Sequence, residues 1–345
     1  MTVDPKILGG GGAGGVDVTR TRPALLAIEP TFGAGVLCPA VHAALHRLDL
    51  GLDDVAVVNL VTRAAPLGPA PADVVVATFY NVSPRLVESV IPAVWRTASP
   101  EAILAAQQAA FAPVLAAALA PLDPTELGEL AELARAASET AAANREGRPL
   151  LAGLASLPWP REDPLVIWHA AKMLREHRGD GHIAGLVTEG LRGIDALVIH
   201  AAYEGWPGEA LRDSRHWDPP AWDASVANLR RRGWLTEAET PESTPKLTAQ
   251  GRRRRRWIED RTDELAALAY EPIGDAGMDR MIELGAKVMP GELRHRHRRT
   301  RTAASHHPIM PRTSPDRGIR QRDRPCHGRM QQPPQLHPAE GFAFR

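Results

Sequence analysis

Along residues 23–190 apolar positions recur every three or four residues, and prolines cut that pattern into helix-length pieces. Pro39, Pro66, Pro69, Pro71, Pro84, Pro92, Pro100, Pro113 and Pro121 punctuate it. Ser83-Pro84, Ser99-Pro100 and Asp123-Pro124 each set a capping oxygen before a proline, whose fixed φ and missing N–H suit a first helical turn. SPEAILAAQQAAFAPVLAAALA and PTELGELAELARAASETAAAN are the clearest helices. DVVVATFYNV, Asp73 to Val82, is β-branched and short, and fits either a strand or a buried helix.

The rhythm changes over residues 191–271. LRGIDALVIHAAYEG predicts a helix closed by Gly205, and PGEALRDS a short second one. PPAWDASVANLRRRG predicts a third, with Trp222, Val226 and Leu229 at i, i+4, i+7 and Gly233 as its stop. WLTEA and PKLTA then predict two strands around the proline-broken turn ETPEST, before a long closing helix over QGRRRRRWIEDRTDELAALAY. The expected fold is mainly α, a helical domain over 23–190 joined to a winged helix-turn-helix over 191–290 whose wing has two strands.

Between the two lies LREHRGDGH, Leu174 to His182. One reading is a tight corner, with Gly179 as a left-handed helix end, His177 and Arg178 at the negative end of the dipole, and Asp180 capping the next helix, which Gly190 ends. Val166, Ala170, Met173 and His177 share an apolar face at i, i+4, i+7, i+11, which turns His177 inward. His169, Glu176 and Asp180 occupy an adjacent face, and His182 starts the next helix. Two histidines and two carboxylates at one corner suit a divalent metal through His177 and His182, or proton transfer by His177, Asp180 and His182. An internal knot of salt bridges, with Arg175 or Arg178 on Glu176 or Asp180, uses the same groups.

Composition narrows the partners. Alanine fills much of the 44% hydrophobic share while aromatics are 5%, which favours helices. No stretch of about 18 apolar residues lacks a charge or proline, so no membrane span is expected. The start, MTVDPKILGGGGAGG, lacks the basic and hydrophobic regions of a secretory signal. Cys38 and Cys326 are too far apart in sequence to suggest a disulfide framework or a zinc site, and a cytoplasmic location is expected. Residues 1–22 read as a disordered leader: Gly9, Gly11 and Gly14 formally match G-x-G-x-x-G, but no strand precedes them and no helix follows. Zero net charge hides an asymmetry. Residues 291–345 carry 12 Arg against 4 acidic residues, a net of +8, which leaves 29 basic against 37 acidic over 1–290. That tail, rich in Arg, His and Pro and without apolar periodicity, reads as disordered or as out-of-frame sequence, its six histidines without ligand spacing.

TRAAPLGPAPADVVVATFYNVSPRLV, LPWP, WHAAKMLREHRGDGHIAGLVTEGL and LRRRGWLT with KLTAQGRRRRRWIEDRTDELA together resemble the SalK-like helix-turn-helix family of actinobacteria, over roughly residues 25–288. The resemblance implies a helical N-terminal part joined to a winged helix similar to that of MarR regulators. FGAGVLCP, Phe32 to Pro39, departs from it, standing where a histidine and aromatic residues are expected, and so does the Arg/His tail.

In a DNA-reading protein of this kind the third helix turns polar and basic residues into the major groove. Here Asp223, Ser225, Asn228, Arg230, Arg231 and Arg232 are expected to face outward, Asn228 towards an adenine edge and the arginines towards phosphates. The wing offers Lys246 against Glu237, Glu239 and Glu242. Arg252 to Arg256 surround one helix turn, and Arg254 is a candidate phosphate contact, unless the run only pairs with Glu259 and Asp260. Arg63, Tyr80 and Asn81, beside a proline-rich loop, and His169, Glu176 and His177 are candidates for a polar small-molecule site. The leading expectation is a cytoplasmic regulator that binds double-stranded DNA as a homodimer and responds to a small-molecule ligand. The alternative is a metal- or small-molecule-binding enzyme that uses the REHRGDGH corner, with the winged helix as scaffold.

Overall fold

The computed structural model describes residues 15–206, 208–237 and 245–288. The glycine motif at Gly9, Gly11 and Gly14, the turn carrying Glu239 and Glu242, and the 291–345 tail lie outside them. Sixteen α-helices run through the described residues: α1 (Thr21–Leu26), α2 (Pro30–Leu37), α3 (Pro39–His46), α4 (Val55–Ala64), α5 (Ala72–Phe79), α6 (Pro84–Val90), α7 (Ala93–Thr97), α8 (Pro100–Leu119), α9 (Pro124–Ala143), α10 (Pro149–Ala155), α11 (Asp163–Thr188), α12 (Gly193–Glu204), α13 (Gly208–Asp213), α14 (Pro219–Arg231), α15 (Ala249–Ala267) and α16 (Gly274–Val288).

Proline and a capping oxygen start the two longest N-terminal helices as the sequence predicts. Ser99 Oγ accepts from the Ala102 N–H at 3.2 Å, and Asp123 accepts from Thr125 and Glu126 while Glu126 reaches back, a full capping box. The ambiguous Asp73–Val82 stretch is helix α5 through Phe79, then a turn. In length and apolarity α8 is long enough to cross a membrane; it packs Ile103, Phe111, Leu115 and Leu119 into the core.

The expected two-stranded wing is not formed. Among the described residues there is no β-strand, and the two segments meet in one isolated antiparallel bridge, Leu235 to Leu247. The Thr236 N–H donates to the Lys246 carbonyl at 2.9 Å and the Thr248 N–H to that of Trp234 at 3.0 Å. Pro245 has no N–H to carry the ladder further, and past Leu235 the chain has only exposed Thr236 and Glu237 to offer.

The expected corner at LREHRGDGH is also absent. α11 runs unbroken for 26 residues through Gly179 and Gly181, and Asp180 caps no following helix but accepts at 3.1 Å from the Leu151 N–H in the first turn of α10. The two glycines cost about 1 kcal/mol each in a helix, but burial against α9, α10 and α15 outweighs that. Gly181 also has a positive use. A Cβ there would stand 2.9 Å from Arg148 Nη1, and the guanidinium passes through that gap to bond the His177 carbonyl and, at 3.2 Å, the Leu265 carbonyl. The helix ends where Gly190 takes φ 62°.

Two apolar cores hang on this long helix. The larger surrounds its first half, where Trp168, Met173 and Leu174 meet Phe111, Leu130 and Leu151, and the chain's return adds Tyr270, Met278, Met281 and Leu284. The smaller gathers Leu186, Ile194, Val198, Leu211, Trp222, Leu229, Trp234, Leu247 and Ile258.

Candidate functional site

The smaller core holds three helices in succession. α12 ends at Gly205 in the left-handed region, φ 70°, as its sequence predicts. α13 is short. α14 starts at Asp218, whose side chain accepts from the Ala221 N–H at 2.7 Å ahead of two prolines. Trp222 and Leu229 face the core, while Asp223, Ala224, Ala227 and Arg231 are exposed and Asn228 is half-buried. Ser225 does not face outward. It is fully buried, and its hydroxyl donates to Asp195 Oδ1 on α12 at 2.6 Å. The sequence carried the signal, since Ser225 is three residues after Trp222 and four before Leu229, on the inward stripe.

The candidate arginines divide into two groups. Arg232 donates to the Glu189 and Gly190 carbonyls at 2.9 and 3.0 Å, closing the end of α11. Arg254 bonds Glu189 at 2.7 Å and lies 4.3 Å over the Trp234 ring. Arg230 holds the Thr236 carbonyl at 3.2 Å, and Arg252 that of Leu247 at 2.6 Å. Arg255 lies 3.5 Å over Tyr203 and 3.6 Å from Glu259. Arg231, Arg253 and Arg256 are exposed with no ion pair among the described residues, and Lys246 is exposed beyond the bridge. The end of α14 abuts the start of α15: a Cβ on Gly233 would lie 3.2 Å from Gln250 Oε1, and one on Gly251 only 2.3 Å from the Trp234 carbonyl oxygen.

Behind this unit the REHRGDGH residues form the salt-bridge knot rather than an open site. Arg63 Nε and Nη2 grip both oxygens of Glu176 at 2.9 Å, and Arg175 adds a third bond to Glu176 at 2.8 Å. These guanidinium groups hold the Glu176 carboxyl below its ordinary range despite burial, which pushes it up. Arg178 and Arg22 both clasp Glu259 and Asp263 on α15, Arg178 to Asp263 at 2.8 Å and Arg22 to Glu259 at 2.6 Å. Their field, with His182 and Arg255, brings Glu259 down to about 2 against its desolvation.

His177, Asp180 and His182 do not converge. His177 Nε2 has no hydrogen-bond partner, and burial lowers that ring to about 3. His182 Nδ1 sits 3.0 Å from Thr262 Oγ1, and burial lowers it to about 4. Asp180 accepts from the Leu151 N–H at 3.1 Å and is raised to about 7 by burial. His169 is stacked edge-on against Trp159 at 4.8 Å and lowered to about 3, again by burial. Among the described residues no group of three or more His, Cys, Asp or Glu is placed to hold a metal ion.

Tyr80 and Asn81 belong to a joint with the three-helix unit. Tyr80 adopts φ 59°, outside the comfort of a side-chain-bearing residue, and its hydroxyl bonds the Leu191 carbonyl. Its own carbonyl lies against Gly193 at the start of α12, where a Cβ would be 1.7 Å away. The Asn81 carbonyl accepts from Trp217 Nε1 at 2.9 Å, and the Ser83 N–H donates to the Arg215 carbonyl at 2.9 Å. His216 reaches Asp54 at the start of α4 at 2.8 Å. Arg22, Arg148, Trp217 and Gly193 were not legible as joint residues, because each acts on a partner far away in sequence.

Three short helices, the third with a polar outer face and an arginine-bearing end, define a helix-turn-helix protein. The chain matches the model of a helix-turn-helix family over residues 21–291, most of its length, and it belongs to that family. No curated protein and no solved structure matches it.

Proposed function

We propose that the chain is a cytoplasmic, DNA-binding transcriptional regulator that sets α14 in the major groove as a homodimer. The observation that carries this reading is the placement of Arg231, free of ion pairs among the described residues, where α14 ends against the arginine-rich start of α15. Asn228 offers an amide for a base edge, and Arg231, Arg253 and Arg256 offer charge for phosphates. Arg232 and Arg254, expected as phosphate contacts, are engaged inside the protein and support the domain instead. The enzymatic alternative needed His177, Asp180 and His182 at one place, and each meets a different neighbour.

Fluorescence anisotropy with labelled duplexes at several salt concentrations tests this. The full chain is compared with one ending at Pro290, since the +8 tail alone attracts polyanions. The shorter chain is expected to keep steeply salt-dependent binding. Absence of binding at low salt, or binding unchanged in Arg231→Ala together with Arg253→Ala, would sink the reading.

A further inference from the structure

α15 buries Gly251, Ile258, Glu259, Thr262 and Ala266 on its inner face. On the outer side Trp257, Arg261, Glu264 and Leu268 recur at i, i+4, i+7 and i+11, which sets them on one line along the helix. Trp257 is 45% exposed and Leu268 38%, although both are large and apolar. Arg261 and Glu264 stand between them, half-exposed, and pair with each other at 2.8 Å. Single apolar side chains on a surface are ordinary. What sets these apart is their order along the helix: apolar, basic, acidic, apolar.

That order is complementary to itself when reversed. Two copies of α15 laid antiparallel, with a two-fold axis between positions 262 and 263, bring Trp257 against the partner's Leu268 and Arg261 against the partner's Glu264. Each contact then occurs twice, as in any isologous interface. A parallel pair in register would set arginine on arginine and glutamate on glutamate. Arg253 lies one turn before Trp257, and Arg256 is turned about 100° round the helix from it, so both stay clear of the contact.

The spacing fits as well. Gly251 marks where α15 meets the end of α14, since a Cβ there would stand 2.3 Å from the Trp234 carbonyl oxygen. At about 1.5 Å rise per residue and about 9 Å between helix axes, the antiparallel pair sets the two Gly251 positions about 35 Å apart. Recognition helices of a dimer reach successive major grooves at a separation of about 34–36 Å.

We propose that α15 is the dimerisation helix, and that a second copy of this chain docks antiparallel on the stripe from Trp257 to Leu268. This deepens the homodimer of the proposed function and rests on that part of it, not on any DNA contact. The stripe is about 16 Å long, which makes the contact small for a stable interface, so the dimer should exchange at micromolar concentration.

The test is sedimentation equilibrium of the full chain without DNA, over a hundredfold range of concentration. A monomer–dimer equilibrium is expected. Trp257→Ala should raise its Kd about tenfold or more, as truncating a central interface tryptophan does. Arg261→Glu faces acid with acid twice across the two-fold and should weaken it similarly. Arg261→Glu combined with Glu264→Arg restores the opposite charges and should restore the dimer, and this series decides the matter if Trp257→Ala does not fold. A chain that stays monomeric at the highest concentration, or a dimer indifferent to Trp257→Ala and to the charge reversals, would overturn the proposal. A dimer that responds to them but binds no duplex supports it, and overturns only the DNA-binding reading.

Discussion

Arg63 donates Nε and Nη2 to the two carboxylate oxygens of Glu176 at 2.9 Å, joining α4 to α11 across 113 residues of chain. The same guanidinium lies 4.8 Å over the Phe79 ring, and the next residue, Tyr80, bonds the start of α12. A single side chain therefore links α4, the long helix and the turn that docks on the helix-turn-helix unit.

Glu176→Ala takes the bidentate carboxylate from the largely buried Arg63 and leaves Arg175 facing it, with Glu29 3.6 Å from Arg175. The expected loss is about 3–5 kcal/mol, typical of breaking one side of a buried pair. It is read as a fall in the urea midpoint at unchanged m-value. A loss below about 1 kcal/mol would mean that water reaches the pair, as at exposed bridges.

Acid stability should be governed by histidines. His169 and His177 titrate near 3 and His182 near 4 in the folded chain, all lowered by burial from 6.5. Lowered values mean that the unfolded chain binds the protons first. Their stabilisation is complete above 6.5 and is lost as pH falls through the folded values. Between pH 6.5 and 4.5 each contributes a slope of up to about 1.4 kcal/mol per pH unit. Glu259, lowered to about 2, enters only below its ordinary range. Denaturation midpoints across that window should fall on acidification, and His177→Leu should make the fall shallower.

Asp180 works in the opposite sense. Its folded value of about 7 lies above the ordinary 3.8, so the native state holds a proton that the unfolded chain has released. Its contribution is full below 3.8 and disappears as pH rises through 7. Asp180→Asn keeps an acceptor for the Leu151 N–H and never ionises. The variant should gain stability over the parent above pH 7, and its acid slope between 6.5 and 4.5 should be steeper. Equal stability at pH 8 would show that Asp180 ionises without penalty.

Gly193→Ala should disconnect the two cores. The added Cβ falls 1.7 Å from the Tyr80 carbonyl oxygen and 2.5 Å from its carbon, both backbone atoms that cannot swing away. A cost of about 1–3 kcal/mol is expected from overpacking, with faster amide exchange in α12–α14 and little change in α8 and α9. Gly33→Ala, with nothing within 4 Å, is the contrast, and should stabilise α2 by up to about 1 kcal/mol.

Much of this fold was legible because its signals are local. Ser99-Pro100 and Asp123-Pro124 start helices, Gly205 ends one, and the Trp222 to Leu229 stripe faces inward, each through contacts within a few residues. The errors arose where a distant partner overrides local preference. Gly179 and Gly181 suggest a break, but Arg148, 29 residues before His177, occupies the gap that Gly181 leaves. WLTEA and PKLTA have strand composition, yet Pro245 removes the donor that a ladder needs. Tyr80 carries a hydroxyl that suits a ligand equally well, and only the fold shows it spent on the Leu191 carbonyl, while the backbone carbonyl of Asn81 takes the Trp217 indole N–H.

The arginines around α14 and α15 separate by what they touch, and mutation should separate them the same way. Arg231 and Arg253 have no internal partner among the described residues, so replacing either by alanine should leave the melting temperature unchanged. If they meet phosphates, each substitution weakens duplex binding for all sequences and lowers the salt slope by about one. Arg232 holds two carbonyls at the end of α11, and Arg254 joins Glu189 to the Trp234 face. Arg232→Ala and Arg254→Ala should each cost about 1–3 kcal/mol of stability, the range for leaving hydrogen-bonding groups unmet. Any loss of DNA affinity should then track the fraction of chain unfolded. Melting curves and salt-dependent anisotropy on the four variants decide it. Normal stability with a reduced salt slope in Arg254→Ala would return that residue to the phosphate-contacting set and show that its bond to Glu189 opens on DNA.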